Sequence, residues 1–306
     1  MPDISVIICT HNPRPDYLAR VLEAIKTQTL PKDQWELLLV DNNCQEPLSC
    51  QWDLSWHVHA RHIREEDLGL TPARLRGIKE SQGDLLVFVD DDNVLDADYL
   101  EQAWTIAGTH GFLGVWGGHI IPEFESEPPP WIESFRLTLA CVEVAEDRWS
   151  NLKFYYGTVP PGAGMCVRRP VADEFMRVAN ADPRRRLLGR RGTEGLGSGE
   201  DTDLALTACD LGLGTGQFTR LKMTHLIPSV RLQEAYIIKL CEAIGVSGII
   251  VEALRGRRPE PFSSSLIRAW LGRLRRRLFW NPRRRALFEG SLRARKRAGE
   301  IIARWR

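Results

Sequence analysis

What this 306-residue chain lacks narrows its identity first. Its seven cysteines (Cys9, Cys44, Cys50, Cys141, Cys166, Cys209 and Cys241) are odd in number and form no C-x-x-C pair. A disulfide framework or a structural zinc site is therefore not expected, and a reducing, cytoplasmic setting suits them. No apolar run approaches the ~20 residues that span a bilayer. The opening "MPDISVIICTHN" has no basic residue ahead of its apolar stretch, as expected of a strand start rather than a secretion signal. "GLGSG" and "GLGTG" lack the G-x-G-x-x-G spacing, and no Walker lysine follows a glycine-rich loop.

Net charge is also nearly absent, at +1, but it is unevenly spread. From Ser264 to Arg306 there are fourteen Lys or Arg against two Glu, a net of +12, which leaves the remainder at −11. A mildly acidic body bears a strongly basic tail. Hydrophobic content of 43% and charged content of 26% are those of a globular protein with a sizeable core.

The first hundred residues alternate in period. "ISVIICT", "WELLLVDNN" and "DLLVFVDDD" are continuous apolar runs, separated by segments with helical spacing such as Leu18, Val21, Leu22 and Ile25. Strand, helix, strand, helix, strand predicts βαβ crossovers and a mostly parallel sheet covered on both faces, an α/β fold. Each apolar run ends in polar residues: Thr10-His11-Asn12, Asp41-Asn42-Asn43 and Asp90-Asp91-Asp92. In open α/β sheets ligands sit outside the carboxyl ends of strands, so these clusters are expected to converge on one crevice. Three adjacent carboxylates repel one another, and a divalent cation would offset that repulsion.

Further on, "GSGEDTDLALTACDLGLGTG" predicts a helix with Ser198 or Gly199 near its N-cap, acids in its first turn and Gly212 as terminator. "YYGTVPPGAGMCVRRPV" predicts a loop and a short strand. "HVHARH" places His57 and His59 on one face of a strand, more readily an exposed strand than a metal site. Basic amphipathic helices broken at Asn281-Pro282 are expected to finish the chain.

Taken together, "VIICTHN", "LLLVDNN", "LTPARLRGIKESQGDLLVFVDDDN" and "GSGEDTDLAL" resemble, in order and spacing, the family 2 glycosyltransferases of GT-A fold. The likeness covers about 230 residues, so residues 1–230 are expected to form a GT-A domain and residues 231–306 a helical extension, strongly basic from about 264. It implies a metal-dependent inverting transfer of sugar from a nucleotide donor, usually UDP-linked, to a hydroxyl acceptor, either a saccharide or a lipid-linked one. By the resemblance Thr10, His11 and Asn12 border the nucleobase, and Asp41 accepts a hydrogen bond from the uracil N–H. Read without it, Asp41 equally suits the cap of a helix or turn. Arg74 matches the arginine of an A-R-N segment, here A-R-L, and would lie near the nucleotide.

Asp90 and Asp92 form the D-x-D. The resemblance implies that Asp90 contacts ribose or metal, that Asp92 binds Mn²⁺ or Mg²⁺, and that His225 completes the metal site. Asp91 belongs to the same cluster. Glu200-Asp201 matches the E-D motif, with Asp201 as the base for the acceptor hydroxyl. Gly162 and Gly164 would let backbone approach a sugar, while Trp131 reads as a core residue. The Q-x-x-R-W signature of processive relatives is absent, which favours addition of one or a few sugars.

Two other readings stay open. A nucleotidyltransferase also joins an α/β sheet to acidic metal ligands, though "CTHNPRPD" is not its glycine- and lysine-bearing loop. The arginine-rich tail suits nucleic acid. Its Trp270, Phe279, Trp280 and Trp305 suit the interface of an anionic membrane at least as well, so the inner membrane face is an expected place of contact, with nucleic acid the less favoured partner and a basic helical face packed on a partner the third reading. The tail is then expected to direct location, not chemistry.

Overall fold

The computed structural model describes residues 2–191, 197–257 and 281–305. Among the described residues nine strands form one sheet in the order β3-β2-β1-β4-β8-β6-β9-β5, with β7 added on β9. The expected alternation opens it: β1 (Ile4–Thr10), α1 (Pro15–Lys26), β2 (Trp35–Asn42), the short α2 (Leu48–Gln51), β3 (Ala60–Glu65), α3 (Leu70–Glu80) and β4 (Leu85–Val89). β1 pairs in parallel with both β2 and β4, and β2 in parallel with β3. Every residue of β1, β2 and β4 is buried, as continuous apolar runs require of strands covered on both faces. Leu18, Val21, Leu22 and Ile25 of α1 close one face, while Ala73, Leu75 and Ile78 of α3 close the other.

The second half mixes directions. β5 (Asn93–Leu95), α4 (Tyr99–Thr109), β6 (Leu113–Phe124), β7 (Arg148–Ser150), β8 (Met165–Arg168), α5 (Arg169–Ala181), α6 (Glu200–Asp210) and β9 (Gly214–Ile227) follow in the chain. β8 runs antiparallel between β4 and β6, whereas the long β6 and β9 pair in parallel. The longest ladders are the parallel ones, so the mostly parallel α/β sheet expected from the sequence is what forms. The three-residue β5 pairs antiparallel with β9 and sets Asn93 opposite His225. That pairing carries a residue far along the chain to the acidic turn after β4.

Two helices complete the described chain, α7 (Glu234–Leu254) and a last helix, α8 (Pro282–Ala303). Asn281 caps α8 by accepting from the Arg284 amide, and Pro282 starts it, as the Asn-Pro break predicted. The two helices pack through small residues, with Gly245 facing Ala294. Ala294 and Ala298 bury against Val246, Ile250 and Leu188, flanked by Ile301 and Trp305. Trp305 also lies under the Arg184 guanidinium, 4.9 Å away. The apolar stripe of α8 is therefore spent inside the molecule, against α7, so this part of the basic tail docks on the body. Trp270, Phe279 and Trp280 lie outside the described residues. Among those described, no helix is long and apolar enough to cross a membrane.

Candidate active site

The carboxyl ends of β1, β2 and β4 open into a cavity of about 750 Å³. It is lined by Thr10, His11, Asn42, all three aspartates and His225 on one side, and by Glu200, Asp201 and Gly162 on the other. Parallel register brings together the ends of β1, β2 and β4, since Thr10 stands opposite Asp41 and Val89 opposite Ile8.

Each aspartate of the turn points to a different partner. Asp91 turns inward and accepts from the Thr10 hydroxyl. Burial, with Asp92 and Asp90 alongside, pushes its carboxyl up to about 7. Asp90 faces Arg74, its Oδ1 3.5 Å from Nη2. Asp92 faces His225 at 3.5 Å and Arg231 at 3.1 Å. Burial alone would raise Asp92, but His225 and Arg231 hold it well below the usual carboxylate range. The crowding is relieved in two ways: Asp90 and Asp92 each face a cation, while Asp91 is held toward its protonated form.

On the opposite wall α6 starts at Gly199 with its acids in the first turn. Glu200, only 4% exposed, receives Arg74 Nη1 at 3.0 Å. Burial still pushes the Glu200 carboxyl up to about 7, against the pull of Arg74 and with the help of neighbouring Asp201. Arg74 is 3% exposed, lies over the Phe88 ring and bridges Glu200 to Asp90. It thus ties the helix of the E-D pair to the D-x-D turn. Asp201 is held by two amides, Gly162 N–H to Oδ2 at 3.0 Å and Thr202 N–H to Oδ1 at 2.6 Å. Its carboxylate is oriented toward the cavity without a cation of its own among the described contacts.

The glycines of "PPGAGM" have other reasons than contact with a sugar. A Cβ on Gly162 would meet the Arg74 guanidinium, 2.9 Å from Nη1 and nearer to Nη2. Gly164 adopts φ +65°, and a Cβ there would lie 2.8 Å from Met223 Sδ. Gly162 makes room for Arg74, and Gly164 packs the core.

Toward β2 the expected residues divide. His11 and Asn42 line the cavity, and His11 Nδ1 lies 2.8 Å from the Asn42 carbonyl oxygen. Asp41 does not line it; its oxygens accept from the Cys44 and Leu48 amides and from Arg64. It caps the loop into α2, the alternative its residue type allowed. Asn12 takes φ +48° and accepts from the Gln45 amide, joining the β1 and β2 loops at the rim. His57 is not on a strand. It is buried in the turn before β3, its ring 4.0 Å from Trp35, and burial pushes its pKa down to about 4. Trp131 is partly buried: it packs edge-on to Phe135 against the small core of Ile132 and Leu139, with Arg283 over its ring.

Arg231 and the clamp on α6 have no counterpart in the sequence reading. Asp203, fully buried, receives both Arg185 and Arg255, the latter from the end of α7. Ser247 of α7 accepts from the Ser198 amide beside the start of α6. Tyr236, Leu240 and Ile244 of α7 line the cavity itself. The segment after residue 230 is thus part of the wall around the acidic pair.

No group of three His, Cys, Asp or Glu among the described residues is arranged as a metal cluster. The pair Asp92–His225 nonetheless fits a cation, because it already holds one. Arg231 Nη1 lies 3.1 Å from His225 Nε2 and Nη2 lies 3.1 Å from Asp92 Oδ2. A guanidinium can only donate, so Nε2 presents its lone pair to that position. His225 Nδ1 is buried and has no hydrogen-bond partner. A carboxylate and an imidazole lone pair are donors that Mn²⁺ or Mg²⁺ accepts, with remaining positions left to phosphate oxygens and water.

Residues 5–164 match the model of the family described as Glycosyl transferase family 2, a span that includes the aspartate turn and Gly162. Glu200, Asp201 and His225 lie beyond it. Glycosyltransferase AglE of Haloferax volcanii is 34% identical over 113 residues, 36% of this chain and 37% of that protein. Glucosyl-dolichyl phosphate glucuronosyltransferase of the same organism is 23% identical over 144 residues, 46% of this chain and 45% of that protein. The chain thus spans less than half the length of these relatives. S. aureus TarS 1-349, solved in complex with UDP, aligns with a TM-score of 0.50 at 17% identity, over 81% of this chain and 65% of that one. At that identity the likeness is one of fold.

Proposed function

This chain belongs to glycosyl transferase family 2, and from that membership we propose that it transfers a sugar from a UDP-linked donor to a hydroxyl acceptor with inversion. The observation that carries this reading is the bridge made by Arg74. One buried guanidinium joins the D-x-D turn, on the donor side, to the helix that bears Asp201, so the two halves of a displacement are held at fixed spacing.

The acceptor hydroxyl attacks the anomeric carbon from the face opposite the diphosphate. As the new C–O bond forms, the bond to the diphosphate oxygen breaks and the hydroxyl proton passes to Asp201. Two amides orient the Asp201 carboxylate for this, and the dipole of α6 favours its charge beforehand. Asp92 and His225 would hold a divalent cation, with Asp90 at the same turn; when bound, it would neutralise the leaving diphosphate. Thr10, His11 and Asn42 border the space for the nucleobase, while Asp41 fixes the shape of the loop beside it.

The acceptor side is apolar. Leu137, Leu139, Ala140, Leu240 and Ile244 are apolar residues of the cavity lining, and in this reading they receive a saccharide carried on a lipid. The name of the relative that acts on a dolichyl phosphate sugar points the same way. Exposed arginines and lysine on α8 would meet an anionic membrane surface while its apolar side stays on α7.

A thermal-shift panel tests the donor reading. UDP with Mn²⁺ is expected to raise the Tm more than UDP or Mn²⁺ alone, and more than ADP or GDP with Mn²⁺. At a hundredfold excess over Kd the linkage is about 2.7 kcal/mol. Equal shifts for every nucleotide, or none for UDP, would rule the reading out.

A further inference from the structure

Arg231 is a cation that the proposed chemistry does not use, yet it stands at the position the chemistry needs. It sits on a single 3-10 turn, Ser229–Leu232, between the end of β9 and α7. The turn is pinned at its start by the Ser229 amide on Glu125, at 2.7 Å. From there the long side chain reaches back into the cavity and spans Asp92 and His225.

We infer that Arg231 is the resident counter-ion of the donor site: without donor it occupies the place between Asp92 and His225 where a divalent cation would bind, and the donor's diphosphate draws it away, so that metal and nucleotide enter together. This rests on the metal-dependent reading above.

Three observations support it. First, the two contacts of 3.1 Å use the very atoms that would ligate a metal, Asp92 Oδ2 and His225 Nε2. A guanidinium and a divalent ion cannot share that point, so either one excludes the other. Second, among the described residues no third His, Cys, Asp or Glu completes a cluster. A metal that displaced Arg231 alone would gain two protein ligands and strand a cation beside itself. Diphosphate supplies the missing oxygens and is also a partner that arginine binds well, through paired N–H donors. Third, the acids beside the pair already have cations: Asp90 faces Arg74, which also serves Glu200, and Asp92 faces Arg231, with Arg190 also at the wall. A divalent cation and a diphosphate entering together change that balance little, whereas either alone would upset it.

Arg231 is thus a positioning residue that couples two ligands. The coupling is reciprocal: UDP should tighten Mn²⁺ binding by the factor that Mn²⁺ tightens UDP binding.

Isothermal calorimetry of Mn²⁺ binding, with and without saturating UDP, tests this on the full chain. For the wild type without UDP, Mn²⁺ binding is expected to be weak, and UDP is expected to strengthen it at least about tenfold. In Arg231→Ala the competitor is gone. Mn²⁺ alone should bind about tenfold more tightly than to the wild type, and the added gain from UDP should shrink. Arg231→Lys keeps one charge but cannot bridge both groups, so it should move in the same direction by less. It carries the test if the alanine variant does not fold, as judged by thermal unfolding. Equal Mn²⁺ affinity for wild type and variants without UDP would overturn the inference, and the metal reading would survive if UDP still strengthened Mn²⁺ binding. If UDP leaves Mn²⁺ binding unchanged in the wild type, the metal reading itself fails and the inference with it.

Discussion

Gly162→Ala is the smallest change that should disable the site, and its effect should run through one side chain. Gly162 does not have positive φ, so an alanine fits its own backbone. The added Cβ would stand 2.9 Å from Arg74 Nη1 and 3.1 Å from Cζ, with Nη2 closer still. Comfortable contact needs roughly 3.5 Å, so the guanidinium must retreat by up to about 1 Å. At 3% exposure and lying over Phe88, Arg74 can retreat only along the cavity wall, away from the partners that hold it. Retreat lengthens the 3.0 Å contact with Glu200 and the 3.5 Å contact with Asp90. Overpacking typically costs about 1–3 kcal/mol, and losing a partner from a buried pair about 3–5. Arg74 is displaced, not removed, so a loss of about 2–4 kcal/mol is expected. Urea unfolding of Gly162→Ala, Arg74→Ala and the double variant closes a double-mutant cycle. Once Arg74 is gone the alanine methyl enters vacated space, so the double variant should be about as stable as Arg74→Ala alone. Additivity within about 0.5 kcal/mol, or a Gly162→Ala protein as stable as wild type, would refute the argument.

Two other outcomes follow from the same geometry. Burial pushes Glu200 from its ordinary 4.5 up to about 7, so in that interval the folded protein holds a proton that the unfolded chain has released. The contribution is full below about 4.5 and lost as pH rises through about 7, a span worth about 3 kcal/mol. Glu200→Gln should therefore gain stability relative to wild type between pH 4.5 and 8 in urea unfolding, and parallel curves would show that Glu200 carries no such shift. Ala294→Leu should wedge α8 from α7 where Gly245 faces it, costing about 1–3 kcal/mol and lowering sugar-donor turnover because α7 lines the cavity; an unchanged Tm would return the last helix to a free tail.

The sequence made the scaffold legible because its strands are buried on both faces and show it as unbroken apolar runs, with polar residues at the end facing the crevice. The acidic pair of α6 was legible from the motif order. The rest depends on direction, which residue type does not encode. Asp41 ends its strand as expected, yet its oxygens turn to the Cys44 and Leu48 amides. Gly162 looked like a residue for a ligand and turns out to clear space for Arg74. Arg231 lies six positions beyond His225, past a proline and on a single 3-10 turn, and nothing local announces that it folds back on Asp92. The basic tail read as separable because its arginines dominate composition, while the small residues that seat it on α7, Ala294 and Ala298, carry no charge or bulk to notice.

In the proposed transfer Asp201 takes the proton from the attacking hydroxyl, and Asp201→Asn isolates that step. The substitution keeps the side chain's size and one of its two amide contacts, while its NH2 group replaces the other acceptor oxygen and cannot take the proton. UDP release from a UDP-sugar, measured with Mn²⁺ at donor concentrations that saturate both proteins and with water as the acceptor, should fall by a factor of about 10²–10⁴, while donor Kd stays within a few-fold. Release at the wild-type rate under equal donor occupancy would contradict the account and move the base to another carboxylate, with Glu200 the nearest.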